Sequence, residues 1–508
     1  MKYLLSVALA LFGIPALAQQ PVTVGRASYA AYPPPYKAST AQHPGFNASK
    51  MLTRRIYADE TDRAGNPRPI PTNDWWTDII NNQFSGALWS YPAMLSTSPD
   101  GVTVAYPSHW NENGTEVKPD SWLRVQGVRF TAAEARAVDW HDWDVVIELP
   151  SVDGDAKMTA TLVHGMPFSW FEFDGVSPEL VFSATPEVVD RDGCGAMVRV
   201  GTDLYGLYYP EAASVVLADG KLRLDGAGWL SVALLSSNED YEGFKEYAPS
   251  IVRSTRVDWA YDERTSLLST VWTVEAENLR SPGGEAPVMQ GFLPHAYKHA
   301  AVSKVDYGSI SYLTPRGTLK MATATDGRFE YAYRFAGMLP YYAAPRGNDC
   351  DANPYDPAVM RSLIESYADG GSFGSDTYWG GKGLTQMALN MTFAKQTGHD
   401  DLYERSRAKL RNVLVDWLTY TPGEDNKFFS YYPRWGGMLG FDVSYDSDAF
   451  NDHHFHYGYF IYAAALLCME DAGFAANYGE ILRMIAKDYA NWDRDDSRFP
   501  FLRTLDPW

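Results

Sequence analysis

The sequence predicts a multidomain β + α protein: an N-terminal antiparallel β-sandwich, a small α/β connecting domain and a C-terminal helical domain. Three observations predict it. With 508 residues the chain is too long for one ordinary domain. Between about Phe84 and Glu277, short runs of period-two alternation follow one another with no clear helix between them. From Asp356 onward the apolar period becomes that of helices.

The chain opens on Met1-Lys2-Tyr3, an apolar run from Leu4 to Ala16, and Ala16-Leu17-Ala18. A charged start, an apolar centre and small residues before a cut are the pattern of a signal peptide. Residues 1–18 are therefore expected to be removed and the mature protein exported, extracellular or periplasmic. Residues 19–64, rich in Pro, Ala and Tyr, read as an extended lead-in. In Pro69-Ile70-Pro71-Thr72-Asn73-Asp74-Trp75-Trp76 the prolines disfavour helix, and Trp75 and Trp76 read as anchors in a core.

Residues 65–283 carry the sandwich. Ala156–His164, Ala196–Val200, Lys221–Asp225 and Thr265–Glu277 read as strands. Asp153-Gly154, Asp174-Gly175, Asp219-Gly220 and Asp225-Gly226 supply the turns. Closely spaced strands joined by such turns argue for antiparallel sheets packed face to face. His164-Gly165-Met166-Pro167 reads as a buried turn. Ser281-Pro282-Gly283-Gly284 breaks the pattern, and residues 284–352 mix short strands with turns.

The helices follow in residues 353–508. Ala358–Ala368 and Tyr378–Thr397 are two, the second with Leu384, Met387, Ala388, Met391 and Ala394 on one face. A third starts at Asp401-Leu402-Tyr403-Glu404, read as a capping box, and runs to Leu418. Tyr457–Met469 and Asn477–Trp492 are the last two.

Composition excludes some functions. Hydrophobic residues make up 45% and charged residues 21%, a globular balance. A net charge of -20 repels a phosphate backbone and an anionic membrane surface, so neither nucleic acid nor membrane is expected as a partner. Three cysteines, Cys194, Cys350 and Cys468, leave room for one bridge and do not make a disulfide scaffold. Asn47, Asn113 and Asn390 head Asn-x-Ser/Thr sites. A monomer is expected.

One stretch carries chemistry. Ser444–Phe460 packs acids, three histidines and six aromatics into a short segment. An acid among rings is a candidate catalytic acid, because burial favours its protonated form. Rings also lie flat on the C–H face of a sugar. Two plainer readings stand beside this: a polar corner of a core, and a metal site, since His454 and His456 would share a face of a strand. No second cluster has zinc-ligand spacing, so no metal or cofactor is expected.

Asn451-Asp452-His453-His454-Phe455-His456-Tyr457-Gly458-Tyr459 resembles the signature of glycoside hydrolase family 81, the endo-β-1,3-glucanases. Pro69–Trp76, His164–Phe168, Pro294-His295 and Asp376-Thr377-Tyr378-Trp379-Gly380-Gly381-Lys382-Gly383 resemble other family segments, the last with one extra glycine. The resemblance implies an (α/α) barrel and inverting hydrolysis of β-1,3-glucan such as laminarin. It makes Asp452 the general acid, held protonated by Phe450, Phe455 and Tyr457. His456 and Tyr457 would orient Asp452 or grip sugar hydroxyls, with His454 less favoured than His456. Asp376, Tyr378 and Lys382 would line the substrate, unless Asp376 is only a helix cap and the rings only packing. Trp435, in the aromatic loop Phe428–Gly436, is the best stacking candidate there. Arg498–Trp508 resembles a stretch inside the family barrel. The family's Gly-His-Ser-Trp-Ala motif and the Glu-rich motif carrying the general base do not follow it. The expectation is an incomplete barrel that lacks its base and turns over poorly; the alternative is a non-catalytic β-glucan-binding protein.

Overall fold

A computed structural model describes residues 20–33, 55–62, 65–72, 74–111, 116–337, 356–445 and 447–503. The signal peptide, Asn47, Asn113, Cys350, Asp446 and the last five residues lie outside these. The chain divides into two compact units. One comprises Arg55–Asp59, Trp75–Gly337 and Leu505–Trp508; the other comprises Met1–Arg54, Glu60–Asp74 and Met338–Thr504.

The first unit is β-rich. An eight-stranded antiparallel sheet runs from the edge strand Glu187–Arg191 to the edge strand Arg136–Trp140, with Trp229–Leu235 buried along its whole length near the centre. A seven-stranded antiparallel sheet runs from Ser214–Ala218 to Leu88–Trp89. In the latter, Trp122–Gly127 alternates half-buried and buried residues and Lys221–Asp225 alternates exposed and buried ones, as period-two sequence requires of a half-covered sheet. The sheets meet where the Ser121 hydroxyl donates to Asp203 at 2.5 Å and Tyr205 Oη donates to the Ser121 carbonyl. Trp76 is buried against Trp140, as an anchor should be, and His164 is buried at the left-handed Gly165 turn.

The segment after Ser281 does not pair only with itself. Arg328–Arg334 and Ala300–Ser303 extend the sheet of the long hairpin Ser250–Asp262 and Leu267–Asn278. Val288–Phe292, Gly317–Ala324 and Tyr307–Thr314 form a separate three-stranded sheet.

Among the described residues the second unit holds five α-helices: α1 (Pro357–Gly370), α2 (Thr377–Gln396), α3 (Asp400–Trp417), α4 (His453–Glu470) and α5 (Ala472–Ala490). Asp356, Asp376 and Asp471 cap α1, α2 and α5 by accepting backbone N–H bonds in the first turn. The expected capping box at Asp401 does not form. The helix starts one residue earlier, which puts Asp401 inside the first turn, where it pairs with Arg361 instead. Leu384, Met387, Met391, Leu410, Leu414, Trp417, Phe460, Leu467, Phe474 and Ile481 make one core between α2, α3, α4 and α5.

The lead-in is not simply extended. Pro21–Val24 and Ala27–Ala30 form a hairpin that joins Phe428–Tyr432 and Gly437–Phe441 in a four-stranded sheet. Gly25 makes the turn at φ 64°, where a Cβ would sit 2.6 Å from the Asn477 carbonyl. Cys194 and Cys468 are free thiols. Asn390 is half-buried and its amide donates to Ile364 O and Ser406 Oγ, so it is occupied as a structural group.

Candidate active site

The site forms where α2 and α4 begin side by side. Close approach is set by Gly381 of α2: a Cβ there would meet Tyr459 Cβ at 2.9 Å and the His456 carbonyl at 3.2 Å. The three helical glycines of the Trp379–Gly383 run, Gly380, Gly381 and Gly383, cost roughly 1 kcal/mol each against Ala, and a Cβ on any of them would stand within 3 Å of a neighbouring atom, so their place reflects the need for contact.

The loop entering α4 is bent. Tyr445, Phe450 and Asp452 all have positive φ (51°, 59° and 57°). Left-handed backbone costs an ordinary residue about 1–2 kcal/mol and persists only when its surroundings hold it. Phe450 supplies one hold: it is fully buried, stacked on Trp435 at 5.2 Å and packed on Tyr432 at 5.6 Å. Asp452 then caps nothing with its side chain, while its carbonyl accepts from the N–H groups of Phe455 (3.0 Å) and His456 (2.8 Å). Its half-buried carboxyl has no hydrogen bond or ion pair among the described residues.

One helical turn on from Asp452, Phe455 and His456 border an aromatic surface. Tyr378 is the hub, with ring centroids 5.0 Å from Trp379, 4.9 Å from Tyr445, 5.7 Å from Phe455 and 5.5 Å from His456. Trp379, Tyr445 and Phe455 are about half exposed, at 49%, 55% and 45%. Large rings left in water beside an unpaired acid form a surface suited to a ligand with apolar C–H faces and hydroxyls. Lys382 Nζ lies over Tyr378 and Trp379 at 5.1 and 4.9 Å.

Under this surface runs a buried polar network. His453 Nδ1 is 2.6 Å from Asp488 Oδ2 and Nε2 is 2.8 Å from the Ser447 carbonyl, with both side chains wholly buried. Asp488 Oδ1 accepts from the Met438 N–H at 2.7 Å. Arg503, also wholly buried, donates to the Asp488, Ile70 and Gly436 carbonyls and to Thr72 Oγ1. The Pro69–Thr72 motif is therefore tied to this network. Reading Ser444–Phe460 by its own residues could not find Asp488, 35 residues away. The i, i+4 pair His453 and Tyr457 was the available signal, had the segment been read as a helix.

Several expectations change. The run from His453 is helix, not strand, so His454 and His456 diverge rather than share a face. His454 is exposed. His456 is buried, with Nδ1 2.8 Å from Thr377 Oγ1. Burial first, then the neighbouring His453, pushes its pKa down to about 4, so it faces the site as a neutral ring. Tyr457 is not a sugar contact: it is fully buried, and its hydroxyl accepts from the Gly440 N–H at 2.9 Å and donates to the Met438 carbonyl. Trp435 is no platform either, being wholly buried against Phe450 in the core. Asp376 is the helix cap. It is 5% exposed, and Oδ1 accepts from the Tyr378 and Trp379 N–H groups and the Ser444 hydroxyl. Tyr378 does sit on the surface side against Phe455, with Lys382 over its ring.

Comparison with known proteins agrees with this architecture. Residues 360–508 match the model of the glycosyl hydrolase family 81 C-terminal domain. They place the C-terminal part of the chain in glycoside hydrolase family 81. Among curated relatives, a glucan endo-1,3-beta-D-glucosidase of Acetivibrio thermocellus is 32% identical over 86% of this chain and 57% of its own length. Another, of Thermobifida fusca, is 30% identical over 97% of this chain and 64% of its own length. A single-site mutant of a family 81 glycoside hydrolase from Clostridium thermocellum superposes with a TM-score of 0.81 at 30% identity, over 96% of this chain and 66% of that one. The chain thus spans about three fifths of the length of the curated relatives it matches.

Proposed function

We propose that this chain belongs to an exported endo-acting β-1,3-glucan hydrolase of the inverting type, with Asp452 as general acid. The observation that carries the reading is the unpartnered Asp452 carboxyl, held on left-handed backbone beside the Tyr378, Trp379, Tyr445 and Phe455 rings. The names of the two glucan endo-1,3-beta-D-glucosidase relatives support the substrate. Trp379, Tyr445 and Phe455 stack on glucose rings, and Lys382 and His454 donate to hydroxyls. Asp452 protonates the glycosidic oxygen as the C1–O bond breaks, and water attacks C1 from the opposite face with its proton taken by a base. His456, neutral and bonded to Thr377, keeps positive charge away from the acid. The five helices form part of an (α/α) barrel, the β-rich unit includes the sandwich, and the protein acts as a monomer away from membranes and nucleic acids. Among the described residues no helix is long and apolar enough to cross a membrane.

The test is incubation of the purified chain with laminarin, following reducing ends and the anomer first formed by proton NMR. Internal cleavage releasing the α-anomer supports the reading. Tight laminarin binding with no cleavage supports the non-catalytic glucan-binding alternative.

A further inference from the structure

We infer that His453 is a positioning residue for Asp452, clamped by Asp488 and by the Ser447 carbonyl so that the acid is presented from a fixed hinge. The inference rests on the reading of Asp452 as general acid. Three observations carry it.

First, His453 closes a loop. Its Nε2 reaches back 2.8 Å to the carbonyl of Ser447, which also accepts from the Phe450 N–H at 3.1 Å. The closed segment contains the two left-handed residues Phe450 and Asp452. Backbone in that region needs an external hold, and the Asp452 side chain makes no bond that could provide it.

Second, the other ring nitrogen ties this loop to α5 through Asp488 at 2.6 Å. Both nitrogens are thus engaged, one by a carboxylate and one by a backbone carbonyl. Asp488 is itself fixed by the Met438 N–H, with Arg503 4.0 Å from Oδ1. The first residue of α4 therefore cannot turn without breaking bonds to two separate segments.

Third, a wholly buried His–Asp pair is a poor way to stabilise a core. Apolar side chains of similar size often do as well or better, because burial strips water from charged groups. Its place one residue from the strained acid is accounted for if precision of Asp452 is what it supplies. A misplaced acid loses proton transfer to the leaving oxygen while sugar binding persists.

The experiment compares two substrates in His453→Phe and His453→Gln. Laminarin needs an acid to protonate its leaving oxygen. A β-laminaribiosyl fluoride does not: the C–F bond breaks to release fluoride, water adds at C1, and the water proton goes to the base. Gln donates to Asp488 but gives up the bond to Ser447, so it keeps the buried carboxylate partnered should the Phe variant fail to fold. Circular dichroism and thermal melting identify folded variants.

The expected result is a 10- to 100-fold fall in kcat on laminarin with KM little changed, and fluoride hydrolysis within about threefold of the parent. Equal losses on both substrates, or undiminished laminarin turnover in a folded variant, overturn the inference. Asp452→Asn is the control that separates the two claims. If it leaves laminarin turnover intact, the acid assignment fails, and with it the positioning role.

Discussion

Gly381 of α2 and Tyr459 of α4 lie so close that a Cβ on the glycine would stand 2.9 Å from the tyrosine Cβ. Near this contact the ring hub Tyr378 packs on Phe455 and His456 in the first turn of α4. Gly381→Ala gains up to ~1 kcal/mol of helix propensity but forces an overpacked contact of about 1–3 kcal/mol. A net loss is expected, together with weaker laminarin binding as the two helix starts separate. Gly458, in α4, has nothing within 4 Å of its Cβ position. Gly458→Ala is expected to raise stability by about 0.5–1 kcal/mol. Urea unfolding of both variants checks the pair.

The two tryptophans of the aromatic segments should behave oppositely. Trp379 is 49% exposed on the ring surface, so Trp379→Ala is expected to raise KM for laminarin about tenfold, on the order of 1.4 kcal/mol, with little change in Tm. Trp435 is wholly buried on Phe450, so Trp435→Ala is expected to destabilise by about 3–5 kcal/mol. Melting curves and steady-state kinetics on the two variants distinguish these outcomes.

His456 predicts a pH dependence of stability. Its folded pKa of about 4 lies below the ordinary 6.5. Between these values the unfolded chain binds a proton that the folded chain refuses. Stability from this group is therefore complete above pH 6.5 and is lost as pH falls toward 4, by roughly 3 kcal/mol in all. Urea midpoints between pH 7 and pH 4.5 should fall in the parent and fall less in His456→Gln.

Arg503 fills a wholly buried site whose oxygens come from Ile70, Thr72, Gly436 and Asp488. Arg503→Met leaves those carbonyl and hydroxyl acceptors without their donor and removes the cation that lies 4.0 Å from Asp488 Oδ1. A loss of about 3–5 kcal/mol is expected by equilibrium unfolding. A change below 1 kcal/mol would show that the network relaxes around a neutral side chain.

Periodicity made much of this fold legible. The Leu384, Met387, Ala388 and Met391 stripe gave α2 to within a residue at each end, because a helix buried along one side must repeat its apolar residues. Alternation gave the strand Lys221–Asp225 at its observed bounds for the same kind of reason. The start of α4 was misread because acids, histidines and rings have no apolar stripe there. The helix begins at His453 through contacts of that residue with Ser447 and Asp488, which no local pattern displays. Trp435 was misjudged because an aromatic loop looks alike whether it lines a groove or fills a core. Only the packing of Phe450, Tyr432 and the Pro69 segment decides. Asp376 was visible as both cap and ligand, and its bonds to Tyr378, Trp379 and Ser444 show the cap.

The most direct test of the account is the turnover of laminarin by Asp452→Asn, measured alongside its laminarin affinity. Loss of kcat by 10²- to 10⁴-fold with affinity retained is the expected result for removal of a general acid. Turnover equal to the parent's would contradict it.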